Sequence, residues 1–487
     1  MRYKIYFTAL VGALTLTSCG DDFLETEPTE FISSDQIDEA TELNPSTQEG
    51  TVRGLYATMF TTGSGGTDLD HDDFGQKGYD IYTDMLSGDM VLAGLTYGWY
   101  SDISQLQSTI DYTDNANYKP WRYYYRIILG ANMVIKTLGG NDFIPDTDEG
   151  KYGMGQAKAM RAYSYFYLAN LFTEGYNPTE EILPIYTEAE EENQPLSTTD
   201  EVYSLIINDL NDAISLLSTF ERANKSEVNQ WVAKGLLAYT YASMGKNAEV
   251  KTITNDIITN GGFILANEEE ALGGFNNVGS KGWMWGTDIT LDNGLDLVSW
   301  WGQVDLFTYS YAWAGDPKSI DDGLYESIRE DDVRKDQFVD AYGDGVLFPL
   351  NKFYAPGREV GGQRSVETDY VYMRIAEMYL LHAEAAAKTG DEGTAIQSLK
   401  VLLNERVEDP SYVDALSGQA LLDEIYLQTR IELWGEGKSY LAMKRNKATI
   451  TRGPNHLSFA GESFSYDDDR LSFDIPQDEI QNNPFIN

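Results

Sequence analysis

The side chains able to carry chemistry are few in kind. The 487-residue chain has one Cys, Cys19, and three His, namely His71, His382 and His456. The histidines lie far apart, and no Ser stands in a Gly-x-Ser-x-Gly setting, so no Ser–His or Cys–His nucleophile pair is legible. A single Cys excludes an internal disulfide, and with only three His no zinc-ligand cluster can be read. Carboxylates are plentiful, with 78 Asp+Glu. Two of them facing across a cleft would suffice for glycoside hydrolysis, but among so many, spacing selects no pair. The run Asp68, Asp70, Asp72, Asp73 imitates the start of a calcium loop. Its sixth position is Asp73 where Gly is needed and its twelfth is Tyr79 where Glu is needed, which excludes an EF-hand and leaves other calcium binding open. Gly153-Met154-Gly155 lacks both Walker spacing and a preceding buried strand, so no cofactor is expected.

What remains is aromatic. Tyr97, Trp99 and Tyr100 cluster in Leu-Thr-Tyr-Gly-Trp-Tyr, and Trp283, Trp285, Trp300, Trp301, Tyr309, Tyr311 and Trp313 come in one later stretch. Indole and phenol faces stack on the apolar C–H faces of sugar rings while polar neighbours bond the hydroxyls. Trp283-Met284-Trp285 alternates like a strand with both indoles inward. Trp300-Trp301 lies in the least helical part of the chain. Neighbours in an extended segment point to opposite sides, so one of them should face a ligand, and Gly302 selects Trp301. The expected ligand surface is therefore Tyr97, Trp99, Trp301, Tyr311 and Trp313. Asp72 and Asp73 of the Gly-rich acidic loop should bond hydroxyls beside it.

The charge balance narrows the partners. Lys+Arg number 35 against 78 acids, a net charge of −43. Nucleic acid needs the opposite sign, and a polybasic membrane patch is absent. A neutral sugar chain is expected over a polyanion, with Arg358 and Arg364 the place where a local basic pocket could override the global field. At 13% aromatic residues the acidity does not signify disorder.

These residues need a scaffold, and the sequence writes a helical one. Lys119–Leu138 starts at a first-turn Pro120 and ends at Gly139-Gly140. Gly155–Phe172 is apolar nearly throughout. Val202, Ile206, Leu210, Ala213 and Leu217 keep helical spacing after a cap at Thr199 or Asp200. Val228–Met244 carries small residues at Gly235, Ala238 and Ala242 for close helix approach. Tyr370–Lys388 and Gly393–Val407 form a second hairpin, with Gln419–Trp434 and Ser439–Arg445 beyond it. Both hairpins resemble tetratricopeptide-like units. Residues 44–118 hold the acidic Gly-rich loop, and residues 261–362 read as long loops and short strands, the kind of segment that carries function. The chain is read as mainly α: a single domain over 41–487, with helices roughly over 119–260 and 370–445 and a loop-rich ligand-binding insertion over 261–362.

The N-terminus is an address. Arg2 and Lys4 precede an apolar stretch too short to span a membrane, and Leu16-Thr17-Ser18-Cys19 resembles a bacterial lipobox. Residues 1–18 are thus a signal peptide, Cys19 the lipid attachment site and 19–40 an acidic tether. Gly20-Asp21-Asp22 resembles the export signal of Bacteroidetes surface lipoproteins.

Taken together, several blocks resemble the SusD/RagB nutrient-binding lipoproteins. They are Asp22-Phe-Leu-Glu-Thr-Glu-Pro28 after the lipobox, Trp121–Ile128 with Ala131-Asn132, and Ala157–Tyr163. Tyr370–Gly390, Leu403–Val407, Glu432–Gly437, Lys444-Arg445 and the closing Ile475–Ile480 with Asn483-Pro484 continue the match in order. His382 departs from the family's usual Arg. The resemblance implies a SusD-like scaffold of tetratricopeptide-like helix pairs with a loop-rich ligand face. It implies a noncatalytic, cell-surface oligosaccharide-binding lipoprotein of the outer membrane, partnered by a SusC-like TonB-dependent transporter. A peptide-capturing RagB-type lid and a surface glycoside hydrolase are the alternatives.

If Cys19 carries the lipid, Cys19→Ala releases the protein from the outer-membrane fraction or blocks processing. Unchanged partitioning of the variant into membranes disproves the assignment.

Overall fold

The computed structural model describes residues 46–68 and 70–486. The signal segment, Cys19 and the acidic tether lie outside them. From Thr51 onward the chain packs as one compact unit.

The scaffold is a sequence of helices, each packed on the next. Helix α1 spans Gln76–Leu86, α2 Asn115–Thr137 and α3 Asp148–Leu171. Then come α4 (Thr199–Leu216), α5 (Gln230–Ser243) and α6 (Asn247–Asn260). Beyond the loop-rich region stand α7 (Ile375–Lys388), α8 (Glu392–Leu403), α9 (Gly418–Glu432) and α10 (Ser439–Arg445). Helix α6 packs on α7, which joins the two helical halves across the insertion.

Local chemistry sets the boundaries. Asp114 caps α2, its carboxylate accepting the Ala116 N–H at 2.7 Å. The cap moves the helix start ahead of Lys119, so Pro120 sits in the second turn, where its missing N–H leaves one carbonyl without its helical partner. Thr198, one residue before the expected cap, forms a capping box with Glu201 at α4. Helix α3 is buried on almost every side, as an apolar helix without a polar face must be. At Gly235 in α5 a Cβ would lie 2.5 Å from the Met373 sulfur, so this glycine is what lets the strand carrying Met373 approach.

Some expectations change. Tyr370–Arg374 is not the start of a helix. It is a strand, β4, paired antiparallel with a strand at Trp283–Thr287, β2. Its aromatic and β-branched residues suit a strand buried on both faces, and Arg374 then leads into α7, its backbone N–H donating to Glu377 Oε1 at 2.5 Å. Helix α1 lies where loop was expected, because Gln76, Lys77, Asp80 and Asp84 break its apolar pattern. All are buried, and Asp80 accepts from Gln76 and Lys77 at 2.8 Å. In the insertion, Trp300–Val304 is a short helical turn capped by Ser299. Among the described residues no helix is long and apolar enough to cross a membrane.

The helical halves meet around a buried ion cluster. Glu432, at the end of α9, accepts from Arg374 at 3.0 Å, from Arg406 at 2.9 and 3.0 Å and from Arg334 at 3.3 Å. One turn on, Glu436 receives Arg374 at 2.7 and 2.8 Å and lies 3.3 Å from Lys352 Nζ. These side chains are at most 3% exposed. Burial alone would raise the Glu432 carboxyl, but the Arg406, Arg374 and Arg334 guanidinium groups hold it well below the usual range.

Removing one member of such a cluster leaves buried charge uncompensated. Glu432→Gln should therefore cost about 3 kcal/mol or more of folding stability, read by denaturant unfolding. A loss under about 1 kcal/mol would contradict the cluster's role.

Candidate ligand-binding surface

A short strand pair makes one surface from two remote segments. Strand β1, Met90–Leu92, pairs antiparallel with β3, Lys318–Ile320, in the register Met90↔Ile320 and Leu92↔Lys318. Antiparallel pairing sets the segment after β1 beside the segment before β3, and the ladder extends as Ala93 N–H donates to Pro317 O at 2.9 Å. Leu-Thr-Tyr-Gly-Trp-Tyr thus lies against Tyr309–Asp316.

Asp316 pins the junction. Its buried carboxylate accepts the backbone N–H groups of Thr96, Tyr97 (3.0 Å) and Gly98 (2.7 Å). Gly98 has φ +81 and Tyr100 φ +70, the left-handed turn that turns these donors inward. Beneath lies Lys318, wholly buried, its Nζ donating to Gln303 Oε1 at 2.7 Å and lying 5.2 Å from the Tyr100 ring. Burial pulls this ammonium down to about 7 against the opposing pull of Asp316 and Asp72.

Above them sit the aromatic rings. The Trp99 indole lies parallel to the His71 imidazole, centroids 5.1 Å apart and planes within 4°. His71 Nδ1 is 2.6 Å from the Tyr311 hydroxyl, and Tyr97, 61% exposed, packs edge-on to Tyr311 at 5.3 Å. The turn Tyr311–Ala314, capped by Ser310, carries Trp313 on its other side, since residues two apart in a helix point about 200° away from each other. Trp313 is 43% exposed and lies 5.3 Å from Tyr309. A groove of about 290 Å³ opens beside Trp99, lined by Tyr97, Asp70, Asp102, Asn115 and Lys119. Apolar ring faces flanked by carboxylate and amide oxygens can stack a sugar ring and bond its hydroxyls.

The structure thus brings Tyr97, Trp99 and Tyr311 together, Tyr311 itself being buried, and sets the exposed Trp313 on the opposite side of the turn beside Tyr309. It does not do so for Trp301. That indole is 1% exposed, edge-on to Trp300 at 5.2 Å and against Phe353. The segment is helical, so strand alternation does not apply, and a Cβ at Gly302 would strike Leu297 O at 2.1 Å, so this glycine serves close packing and leaves no room at the surface. Asp72 is also committed inward, to Lys119 Nζ at 2.6 and 2.7 Å and to the Tyr82 hydroxyl at 2.5 Å. Asp73 is fully buried and ties the Gly-rich loop, accepting Gly65 N–H at 2.7 Å and the Thr67 hydroxyl at 2.9 Å. Both acids build the loop, and Asp72, though paired inward, also borders the groove beside Asp70, Asp102 and Asp114. His71 and Asp316 give no sequence signal, because their roles depend on contacts more than 200 residues away.

Comparison with known proteins gives the fold its class. A family model described as "Starch-binding associating with outer membrane" matches residues 77–242, and one described as "SusD family" matches residues 276–487. The chain belongs to the SusD family. A SusD-like carbohydrate binding protein from Bacteroides vulgatus is 25% identical with a TM-score of 0.76, covering 90% of this chain and 96% of that one. Surface glycan-binding protein A from Bacteroides thetaiotaomicron, in complex with laminarihexaose, is 16% identical with a TM-score of 0.69 over 90% and 97% of the two chains. That second likeness is one of fold alone. A SusD-like protein from Bacteroides ovatus is 26% identical over 197 residues, 39% of this chain and 30% of that protein. The chain spans about a third of the length of the curated relatives it matches.

Asp316→Ala removes the acceptor shared by the backbone of residues 96–98. Stability should fall by about 1–3 kcal/mol, and hydrogen exchange at Tyr97 and Gly98 should quicken. Unchanged exchange there would show that the loop holds without this carboxylate.

Proposed function

We propose that this protein is a noncatalytic oligosaccharide-binding lipoprotein, anchored through Cys19 and exposed on the cell surface, that passes its ligand to a SusC-like TonB-dependent transporter of the outer membrane. The observation that carries the reading is the cluster of exposed Tyr97 and half-buried Trp99 packed over Tyr311, its loop pinned by Asp316, with the exposed Trp313 on the opposite side of the same turn. Its rings offer stacking faces while the carboxylates lining the adjoining groove offer hydroxyl acceptors. The family's outer-membrane association supports the location. The handover to a transporter rests on the family resemblance.

Ring stacking at such a surface contributes about 2 kcal/mol per well-placed aromatic residue. Trp99→Ala and Trp313→Ala should each weaken binding of the cognate oligosaccharide roughly thirtyfold by calorimetry. Trp313, already half in water, should do so with no change in melting temperature. Incubation with that oligosaccharide should yield no new reducing ends. Hydrolysis, or full affinity in both variants, would sink the reading.

A further inference from the structure

On the far side of the Tyr311–Ala314 turn, the segment around Gly361–Arg364 is zipped onto Phe307–Tyr309. Tyr309 N–H donates to Gln363 O at 2.8 Å and Gln363 N–H to Phe307 O at 3.0 Å. The Gln363 amide bonds the Thr308 and Thr368 hydroxyls at 2.9 and 3.1 Å. Gly361, at φ +63, lies so close under the Trp313 indole that a Cβ there would stand 3.2 Å from the ring. This zipper sets Arg364 over the Tyr309 ring, its Cζ 4.5 Å from the centroid, with Trp313 as the next ring.

Arg364 is exposed and makes no ion pair among the described residues. Arg329 and Arg470 are each neutralised by an acid two residues away, Asp331 and Asp468, in a chain where acids outnumber bases 78 to 35. A guanidinium lying over a ring is held in place at little conformational cost, and its planar fork fits an oxyanion with two donors.

We infer that Arg364 receives an anionic substituent, a carboxylate or a sulfate ester, on a sugar ring stacked at the exposed Trp313. The ligand class is then an acidic oligosaccharide, against the neutral one the net charge suggests. A direct two-donor contact acts well inside one Debye length, whereas the chain's acids farther away than that are largely screened. The inference rests on the oligosaccharide-binding reading above.

Calorimetry on the full mature chain tests it. The probes are galacturonate and mannuronate hexamers, a sulfated carrageenan hexamer, and maltohexaose and laminarihexaose as neutral counterparts. At least one acidic probe should bind, more weakly as salt rises. Arg364→Gln should lower that affinity at least about tenfold, with Arg364→Lys between, while any affinity for the neutral probes stays unchanged. Uronate and sulfate arms tell the two oxyanions apart. Exclusive binding of neutral probes, or acidic binding indifferent to Arg364→Gln, overturns the inference and leaves oligosaccharide binding standing. No binding of any probe, or acidic binding untouched by both Arg364→Gln and Trp313→Ala, overturns this inference and counts equally against the aromatic surface.

Discussion

The carboxylate of Glu432 is the point on which the scaffold turns. Arg334 comes from the loop-rich insertion, Arg374 from the junction of β4 and α7, and Arg406 from the turn after α8. Buried charge is tolerable only when each member is matched, so these elements can all be native only together. Trp434, two residues on, donates its indole N–H to Asp89 O at 2.8 Å. Asp89 immediately precedes β1, so the same corner that closes the helical halves also sets the start of the strand pair under the ligand surface.

From that corner the ligand surface is reached in short steps. Strand β1 fixes where Leu-Thr-Tyr-Gly-Trp-Tyr begins, β3 fixes where Tyr309–Asp316 ends, and Asp316 closes the gap between them. The rings then have little freedom left: His71 supports Trp99 from one side and Tyr311 from another. Preorganisation of this kind suits binding a ligand whose own hydroxyls are well hydrated, because little of the protein must be ordered on contact.

Where physical signals are local, the sequence is a good guide. Helices α4 and α5 show apolar spacing and side-chain caps within a few residues, and α10 runs over the residues its pattern marks out. The family blocks are legible for the same reason that they are buried: Arg374, Arg406, Glu432 and Glu436 are the ion cluster itself. The misleading residues are those whose local pattern and tertiary role diverge. Tyr370–Arg374 reads apolar in either period, and its pairing with β2, over 80 residues earlier, decides for strand. Trp301 looks presentable because its surroundings lack helix formers, yet a Ser299 cap folds it into a turn and the core takes both indoles. Asp72 and Asp73 look like free acceptors, while Lys119 and the loop backbone claim them. Tyr97, Trp99, Tyr311 and Trp313 are legible by type, but His71 and Asp316, which position them, emerge only when the chain is folded.

The buried ion cluster and the aromatic surface share no side chain, and that separation has an evolutionary meaning. Substitutions at Glu432 or its arginines threaten the whole molecule, whereas those at Tyr97, Trp313 or Arg364 fall on exposed positions where the fold has little at stake. Substitutions at those exposed positions can change the chemistry of the surface without spending stability, while the architecture is kept. A protein with 25% of its residues in common keeps the same fold at a TM-score of 0.76.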